Sequence, residues 1–438
     1  MDIYNLISFG GLLAMVGMAW LASANRRRVS WRCAAAGVGL QLALGALVFL
    51  APGSRQAFGA LNDAVVAVLT AAGSKLDIVF GPLALGPGES RPGVGTSVGF
   101  ILALQALPLA IVFAALMGLL YYCGVMQRVI RGFAWLFARL MKTSGAESLC
   151  AASNIFVGVE SATTVRPYLA AMTRSELCTV LTAGMATIAS TVLAAYVGML
   201  HARFPDIAGH LISASIMSAP AAIVTSKLLL PETGDPATLA RTVEIHYERE
   251  SSAIESVING AMAGVKLVVG IVALLVAVLG LLAILNLVIA QVGYLFGAED
   301  AWSLERLLGY VMRPFAYLIG IPVADAPRAS ELLGERLVFS ELPAYLHLND
   351  WLASGEMAHE RTRVVLAYAL CGFAHVASLG IFIGGIAALV PERRKDLASV
   401  GPRALAAAVL ACLMTGAVAG IFYHAAEAAI QAAPAVTP

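Results

Sequence analysis

Runs of apolar residues long enough to cross a bilayer, roughly 20 residues at a rise of 1.5 Å each, recur at 6–24, 33–51, 100–122, 176–200, 207–230, 262–292, 362–390 and 402–425. The pattern predicts about eight transmembrane helices. Two shorter apolar regions, 143–172 and 320–350, are each interrupted by polar residues around one carboxylate: NIFVGVESATTVRP with Glu160, and VFSELPAY with Glu341. Neither is long enough to cross twice. Each therefore reads as a re-entrant helical hairpin whose irregular tip is tolerable only if buried in protein or lining a cavity.

Two segments break the apolar rhythm more widely. Residues 52–99 are rich in Gly and Pro towards GPLALGPGESRPGVGTSVG and read as an external loop with one interfacial helix, too irregular to span. Residues 231–256, PETGDPATLARTVEIHYERESSAIES, are the most polar stretch and separate two halves that share a grammar. In each half an amphipathic basic segment (126–142 and 303–317) precedes the interrupted region. A long span with polar residues at its middle follows, TIAST at 187–191 and CGFAHVAS at 371–378. Paired broken segments at corresponding positions point to a transporter built from repeats, with its site at their interface. The expected organisation is a scaffold of N-terminal spans and external loop (1–125), a first transport half (126–230), a polar linker with a scaffold span (231–300), and a second transport half (301–438).

Composition agrees with an all-α polytopic membrane protein: of 438 residues, 60% are hydrophobic and 13% charged, outside the range of soluble domains. A net charge of +1, with its basic residues in small separated groups, gives no sign of a nucleic-acid polymer as partner. Those groups report topology. Arg26, Arg27, Arg28 and Arg32 follow the first span, Arg128, Arg131, Arg139 and Lys142 the third, and Arg393, Arg394 and Lys395 precede the last. The positive-inside rule places all three in the cytoplasm and both termini outside, and the compact size fits a bacterial inner membrane, where outside is the periplasm. The first run carries Asp2 and no positive charge ahead of it, so it reads as a retained span and not a signal peptide. Cys33, Cys123, Cys150, Cys178, Cys371 and Cys412 are scattered without a CxxC pair, as small core residues are.

A carboxylate near the bilayer centre costs roughly 2.5–3.5 kcal/mol, so a retained one marks a substrate or ion pathway. Glu160 and Glu341 read either as structural partners of Arg166 and Arg336 or as acceptors for a solute, and their matching positions favour the solute. A carboxylate that accepts from vicinal hydroxyls or ring N–H groups suits a neutral polyhydroxylated or heterocyclic solute. The first hairpin also offers Asn154, Gly158, Ser161, Thr163 and Thr164. Their oxygens, with the carbonyls of a non-helical tip, either cap two half-helices or replace the hydration shell of a hard cation such as sodium. His375, with Phe373 and Ser378 on nearby turns, reads as a stacking and hydrogen-bonding wall, as a packing residue, or as a proton-coupling group.

Other chemistry finds less support. GTSVG, with Ser97, fits the G-x-S-x-G pattern, but no strand precedes it and no His and acid complete a triad. There is no HExxH, P-loop or dinucleotide fingerprint, so the chain itself does not couple transport to ATP. An intramembrane enzyme using the two glutamates and His375 as acid and base, and a sensor that binds without transporting, are the rivals from other classes.

The strings YYCGVMQRVIRGFAWLF, SGAESLCAASNIFVG, VRPYLAAMTRSEL, SAPAAIVTSKLLLPET, RPFAYLIGIP, SELPAY and ALCGFAHVAS occur in this order. Together they resemble the concentrative nucleoside transporter family from about Trp20 to the last span. The resemblance implies eight spans, two re-entrant hairpins, interfacial helices, a homotrimer, and an elevator-like movement of a transport domain against a trimeric scaffold. It implies sodium as the coupling ion, held by Asn154, the carbonyl of Val157, Thr187 and the carbonyl of Ile188, with the proton as the alternative. For a nucleoside, it implies Glu341, His375 and Ser378 on the ribose side, Phe373 in the wall, and the residues after Gly158, Val159 and Glu160, on the base side. The chain departs from the family in four places. GVES stands where GQ[ST]E is common, the tip is one residue shorter before VRP, and Ser340 and His375 replace two asparagines. Loss of a base-reading glutamine points to an unusual nucleoside or a nucleoside-like solute. The reading is thus a secondary active symporter of nucleosides, and not an enzyme.

Overall fold

The computed structural model describes residues 2–51, 54–239, 241, 243–246, 250–296 and 302–424, with the side chains of Ser54, Arg55, Ala57 and Val159 outside the described set. The chain is helical almost throughout; a two-stranded antiparallel ribbon, Ser90–Arg91 with Gly95–Thr96, is the one sheet among the described residues. Among the described residues, eight stretches are long and apolar enough to cross a membrane: Ile3–Leu21, Trp31–Phe49, Phe58–Ala84, Leu102–Tyr122, Arg174–Leu200, Ile207–Leu229, Ala253–Leu295 and Pro391–Phe422.

The number agrees with the sequence expectation, with two differences of detail. Residues 54–84, expected as loop and interfacial helix, include the helix Ser54–Gly73, and Phe58–Ala84 has the length and apolarity of a span. Nine of the thirteen Gly and Pro residues that gave 52–99 its irregular look fall after position 80. The span expected at 362–390 is two helices, Glu360–Leu370 and Val376–Leu389, separated at Cys371–His375. Its counterpart at 176–200 is likewise broken, into Arg174–Ala186 and Ser190–Leu200.

Both interrupted regions fold as helical hairpins, and local sequence accounts for their boundaries. Ser144 and Glu147 close a reciprocal capping box at the start of Gly145–Asn154, satisfying two donors that the first turn leaves open. After a tip at 155–158 the chain returns as a 3₁₀ run, Val159–Ala171, in which Thr163 and Thr164 donate to the carbonyls three residues back and Pro167 lacks an amide donor. Thr173 and Glu176 form a second capping box that opens the first broken helix. The second hairpin pairs Ala326–Val338 with Glu341–Ser354 around the turn at Phe339 and Ser340. An amphipathic helix precedes each hairpin, Val125–Met141 and Leu304–Leu318. The two halves therefore repeat one order: amphipathic helix, hairpin, broken helix, long helix (Ile207–Leu229 or Arg394–Phe422).

The core is made by the hairpins, the broken helices and the two long helices that follow them. Every residue of Gly145–Asn154 is buried, whereas the 43-residue helix Ala253–Leu295 buries only Ser256, Gly264, Leu282 and Gly293. At the base of the first hairpin Lys227 lies 2.8 Å from Glu147 and 3.4 Å from Glu232. The linker is tied to the same hairpin: Gly145 N donates to Thr238 O at 3.0 Å and His246 N to Thr164 O at 2.9 Å. All six cysteines are free, and all but Cys123 are buried.

Candidate functional site

A cavity of about 550 Å³ lies where the hairpin tips meet the two helix breaks, within the usual range for small-molecule sites. Val157, Gly158, Glu160 and Thr163 reach it from the first hairpin, Ser340 and Glu341 from the second, and Phe373, His375 and Ser378 from the second break. Helices Leu107–Tyr122 and Ala253–Leu295 supply the opposite wall, mostly apolar, through residues such as Met117, Tyr121, Asn259 and Leu267.

Close backbone approach brings the breaks together. Gly372 has φ +135°, a conformation that L side chains rarely adopt, and a Cβ there would lie 2.7 Å from both the Ala186 carbonyl oxygen and Cys412 Sγ. The first hairpin tip docks on the first break: Ser190 N donates to Phe156 O at 3.0 Å. Thr187 Oγ1 donates to the carbonyls of Asn154 and Ala183, each at 2.8 Å. Asn154 Oδ1 accepts from Ser161 Oγ at 2.7 Å while its amide donates to Cys150 O at 3.0 Å. No donor among the described residues reaches the carbonyls of Val157 and Ile188. The group is made of neutral oxygens, and no cluster of three His, Cys, Asp or Glu side chains occurs among the described residues. Oxygen donors without thiolate or imidazole suit a hard cation.

Across the cavity Glu341 opens the second helix of its hairpin and is 3% exposed. Its Oε1 accepts a short hydrogen bond from Tyr196, which belongs to the first half. Its Oε2 lies 3.4 Å from His375 Nε2 and accepts no hydrogen bond. His375 caps helix Val376–Leu389, and its Nδ1 accepts from Ser378 N at 3.2 Å. That bond puts the proton of the neutral ring on Nε2, facing the carboxylate. Neither glutamate pairs with an arginine: Arg336 donates instead to Ala369 O at 2.6 Å, and the Glu160 carboxylate makes no hydrogen bond or ion pair among the described residues.

Of the remaining residues singled out in the sequence, Ser340 presents a hydroxyl with no hydrogen bond among the described residues. Phe373 meets His375 edge-on with ring centroids 6.5 Å apart. Ser378 lines the cavity, and its hydroxyl donates to the carbonyls of Phe373 and His375. Val159 is part of the 3₁₀ backbone, and its side chain lies outside the described residues. Sequence reasoning passed over Tyr196, which sits in the apolar run LAAYVGML and packs against Tyr345 with ring planes tilted by 39° and centroids 4.7 Å apart. Nothing but its long-range partner sets it apart from a core tyrosine.

The same chain matches three family models in succession. Residues 10–83 match the N-terminal model and 210–420 the C-terminal model of Na+ dependent nucleoside transporters, and 103–203 match a model described as nucleoside recognition. An uncharacterized transporter of Haemophilus influenzae is 36% identical over 97% of this chain and 99% of its own. The chain belongs to the concentrative nucleoside transporter family. Mouse solute carrier family 28 member 3 is 36% identical over 95% of this chain, which spans 59% of that longer protein. Among solved structures, CNTnw in an inward-facing substrate-bound state is 34% identical over 96% of this chain and 100% of its own, with a TM-score of 0.86. An outward-facing form of CNTnw superimposes with a TM-score of 0.87. These relatives are transporters and not enzymes, and the chain is a membrane-spanning nucleoside transporter by family.

Proposed function

We propose that this chain is a sodium-coupled symporter that moves nucleosides, or a close nucleoside-like solute, across a bacterial inner membrane. The observation that carries the reading is Glu341: a buried carboxylate lining the cavity, whose Oε2 faces His375 Nε2 at 3.4 Å without a well-formed hydrogen bond. A buried acceptor left without its hydrogen bond costs about 1–3 kcal/mol, more when charged, and a solute hydroxyl would complete what His375 satisfies only in part. Glu160, Ser340, Phe373 and His375 complete the solute side, with Ser378 acting through the His375 turn. Val159 falls on the base side by position alone.

Sodium would take Asn154 Oδ1, the Thr187 hydroxyl and the open carbonyls of Val157 and Ile188. Order imposed on the hairpin tip by the ion raises solute affinity, and by linkage the solute raises sodium affinity by the same factor. The two hairpins, the broken helices and the long helices move as a transport domain (126–230 and 301–438) against a scaffold of the N-terminal spans and Ala253–Leu295, in an elevator motion within a homotrimer. The exposed apolar length of Ala253–Leu295 supports contact with lipid and partner subunits. The basic groups after the first span and before the last support a periplasmic position for both termini.

One observation favours a second reading. His375 and Glu341 face each other at 3.4 Å inside the cavity, an arrangement able to carry a proton as the coupling ion. Uptake of radiolabelled uridine and adenosine into proteoliposomes, with a sodium gradient or a pH gradient alone, separates the two. Sodium-driven accumulation that E341Q abolishes supports the first reading; uptake driven by acid outside and indifferent to sodium supports the second. Binding without accumulation under either gradient would refute symport.

A further inference from the structure

The two broken helices end in the same buried region but are neutralised differently. Arg174–Ala186 ends at Thr187 and Glu360–Leu370 at Cys371, and the two ends touch at Ala186 and Gly372. A helix C-terminus carries about half a negative charge and carbonyls that lack intrahelical donors. Two such ends buried side by side favour a cation at each.

The second end already has one. Arg336, in the last turn of Ala326–Val338, is fully buried, and its Nη1 donates to Ala369 O at 2.6 Å. Tyr345 from the same hairpin donates to Ala367 O at 2.9 Å. No carboxylate lies within 4.0 Å of the guanidinium among the described residues, its Nε and Nη2 have no oxygen partner, and the Cys412 thiol lies beside it. Burying a cation without a counter-ion costs several kcal/mol, so the helix end is what offsets the charge of Arg336. At the first end the corresponding hairpin helix finishes in Asn154, and the groups on the terminal carbonyls are the Thr187 hydroxyl and, on Ala186 O at 3.6 Å, the Cys412 thiol. All of these are neutral. No Lys or Arg side chain reaches these carbonyls among the described residues.

We infer that Arg336 is a fixed cation holding, in the second half, the place that sodium takes in the first, so that one sodium accompanies each solute. The inference rests on the sodium-coupled reading above. It makes Arg336 a positioning residue that holds the second hairpin, and hence Glu341, against its broken helix without an ion.

The test uses the full-length protein in proteoliposomes, with reversal potentials giving charge per nucleoside and uptake giving the sodium dependence of wild type, R336K and R336M. The expected results are one charge per nucleoside and a Hill coefficient near one for wild type and R336K. R336M should need at least tenfold more sodium, with a Hill coefficient approaching two as a second ion fills the vacated place. Two charges per nucleoside in wild type would overturn the inference even if R336M does not fold. So would an R336M sodium curve identical to wild type, or an equal loss of uptake in R336K and R336M. Wild-type uptake indifferent to sodium would instead sink the coupling reading. In that case a sodium requirement appearing only in R336M would still support Arg336 as the built-in cation, and its failure to appear would refute it.

Discussion

The hydroxyl of Thr187 donates to the main-chain carbonyl of Asn154 at 2.8 Å, joining the break of one helix to the last residue of a hairpin helix. The contact is long-range in sequence and fully buried. It makes the geometry of the hairpin tip depend on the conformation of the break, as an ion bound between them requires.

Replacing Thr187 with valine keeps the volume and removes the oxygen. T187V should raise half-saturating sodium about tenfold or more, the order of one net hydrogen bond or ion ligand, and T187S should restore it. The check is uptake against external sodium at fixed nucleoside. An unchanged T187V curve would remove this hydroxyl from the ion site.

Glu341 and Tyr196 make a graded pair. E341Q removes the charge and should lower uptake at least a hundredfold, since a buried charged acceptor for a solute hydroxyl is lost. Y196F leaves the carboxylate but frees Oε1 from its phenol partner. It should raise KM roughly tenfold with less effect on the maximal rate, by analogy with deletion of one hydrogen bond to a charged group. Equal effects of Y196F and E341Q on KM would mean that the phenol itself contacts the solute.

The distinction between these two residues also shows what the sequence could and could not display. Glu341 was legible because a charge in an apolar region is costly wherever it lies. Tyr196 was not, because a tyrosine in an apolar helix is ordinary until the fold brings a carboxylate 145 residues away to its hydroxyl. The same limit explains Ser378. Its position three residues after His375 was visible, but whether its hydroxyl faces a solute or the carbonyls of Phe373 and His375 depends on the broken backbone. Hairpins and paired breaks were legible from polar residues inside apolar runs, whereas the true break at Cys371–His375 needed the positive φ of Gly372. In 54–84 the expected helix is present, and the Gly and Pro residues that follow it hid its apolar length.

His375 can be exchanged for asparagine with little structural cost. Its backbone is extended and its side chain caps Val376–Leu389, a role for which asparagine is among the best residues. H375N should keep the melting temperature of the wild type within a few degrees and should retain sodium-driven uptake. Comparison of sodium-driven and pH-driven uptake in the two proteins is decisive. Loss of sodium-driven uptake from a folded H375N would move the coupling to the His375–Glu341 pair.

Stability is concentrated elsewhere, at Arg361. Its Nε donates to Gly320 O at 2.7 Å, its Nη1 to Asn5 Oδ1 at 2.7 Å, and its Nη2 to Ser8 Oγ at 2.9 Å and Gly420 O at 2.8 Å. The guanidinium also lies 5.8 Å from the Tyr4 ring and 5.6 Å from that of Tyr423. One side chain thus joins the first span, the end of Leu304–Leu318, the second broken helix and the last helix. R361M would leave buried acceptors on three of these elements unpaired, at about 1–3 kcal/mol each less whatever the site recovers by relaxing. The expected loss is therefore on the order of 3–5 kcal/mol, the range measured when one partner of a buried charged pair is removed. It should appear as a clear fall in the detergent melting temperature, with the sodium half-saturation of any folded protein unchanged because no Arg361 contact touches the cavity. A melting temperature equal to that of wild type would mean that the four elements are held by apolar packing alone.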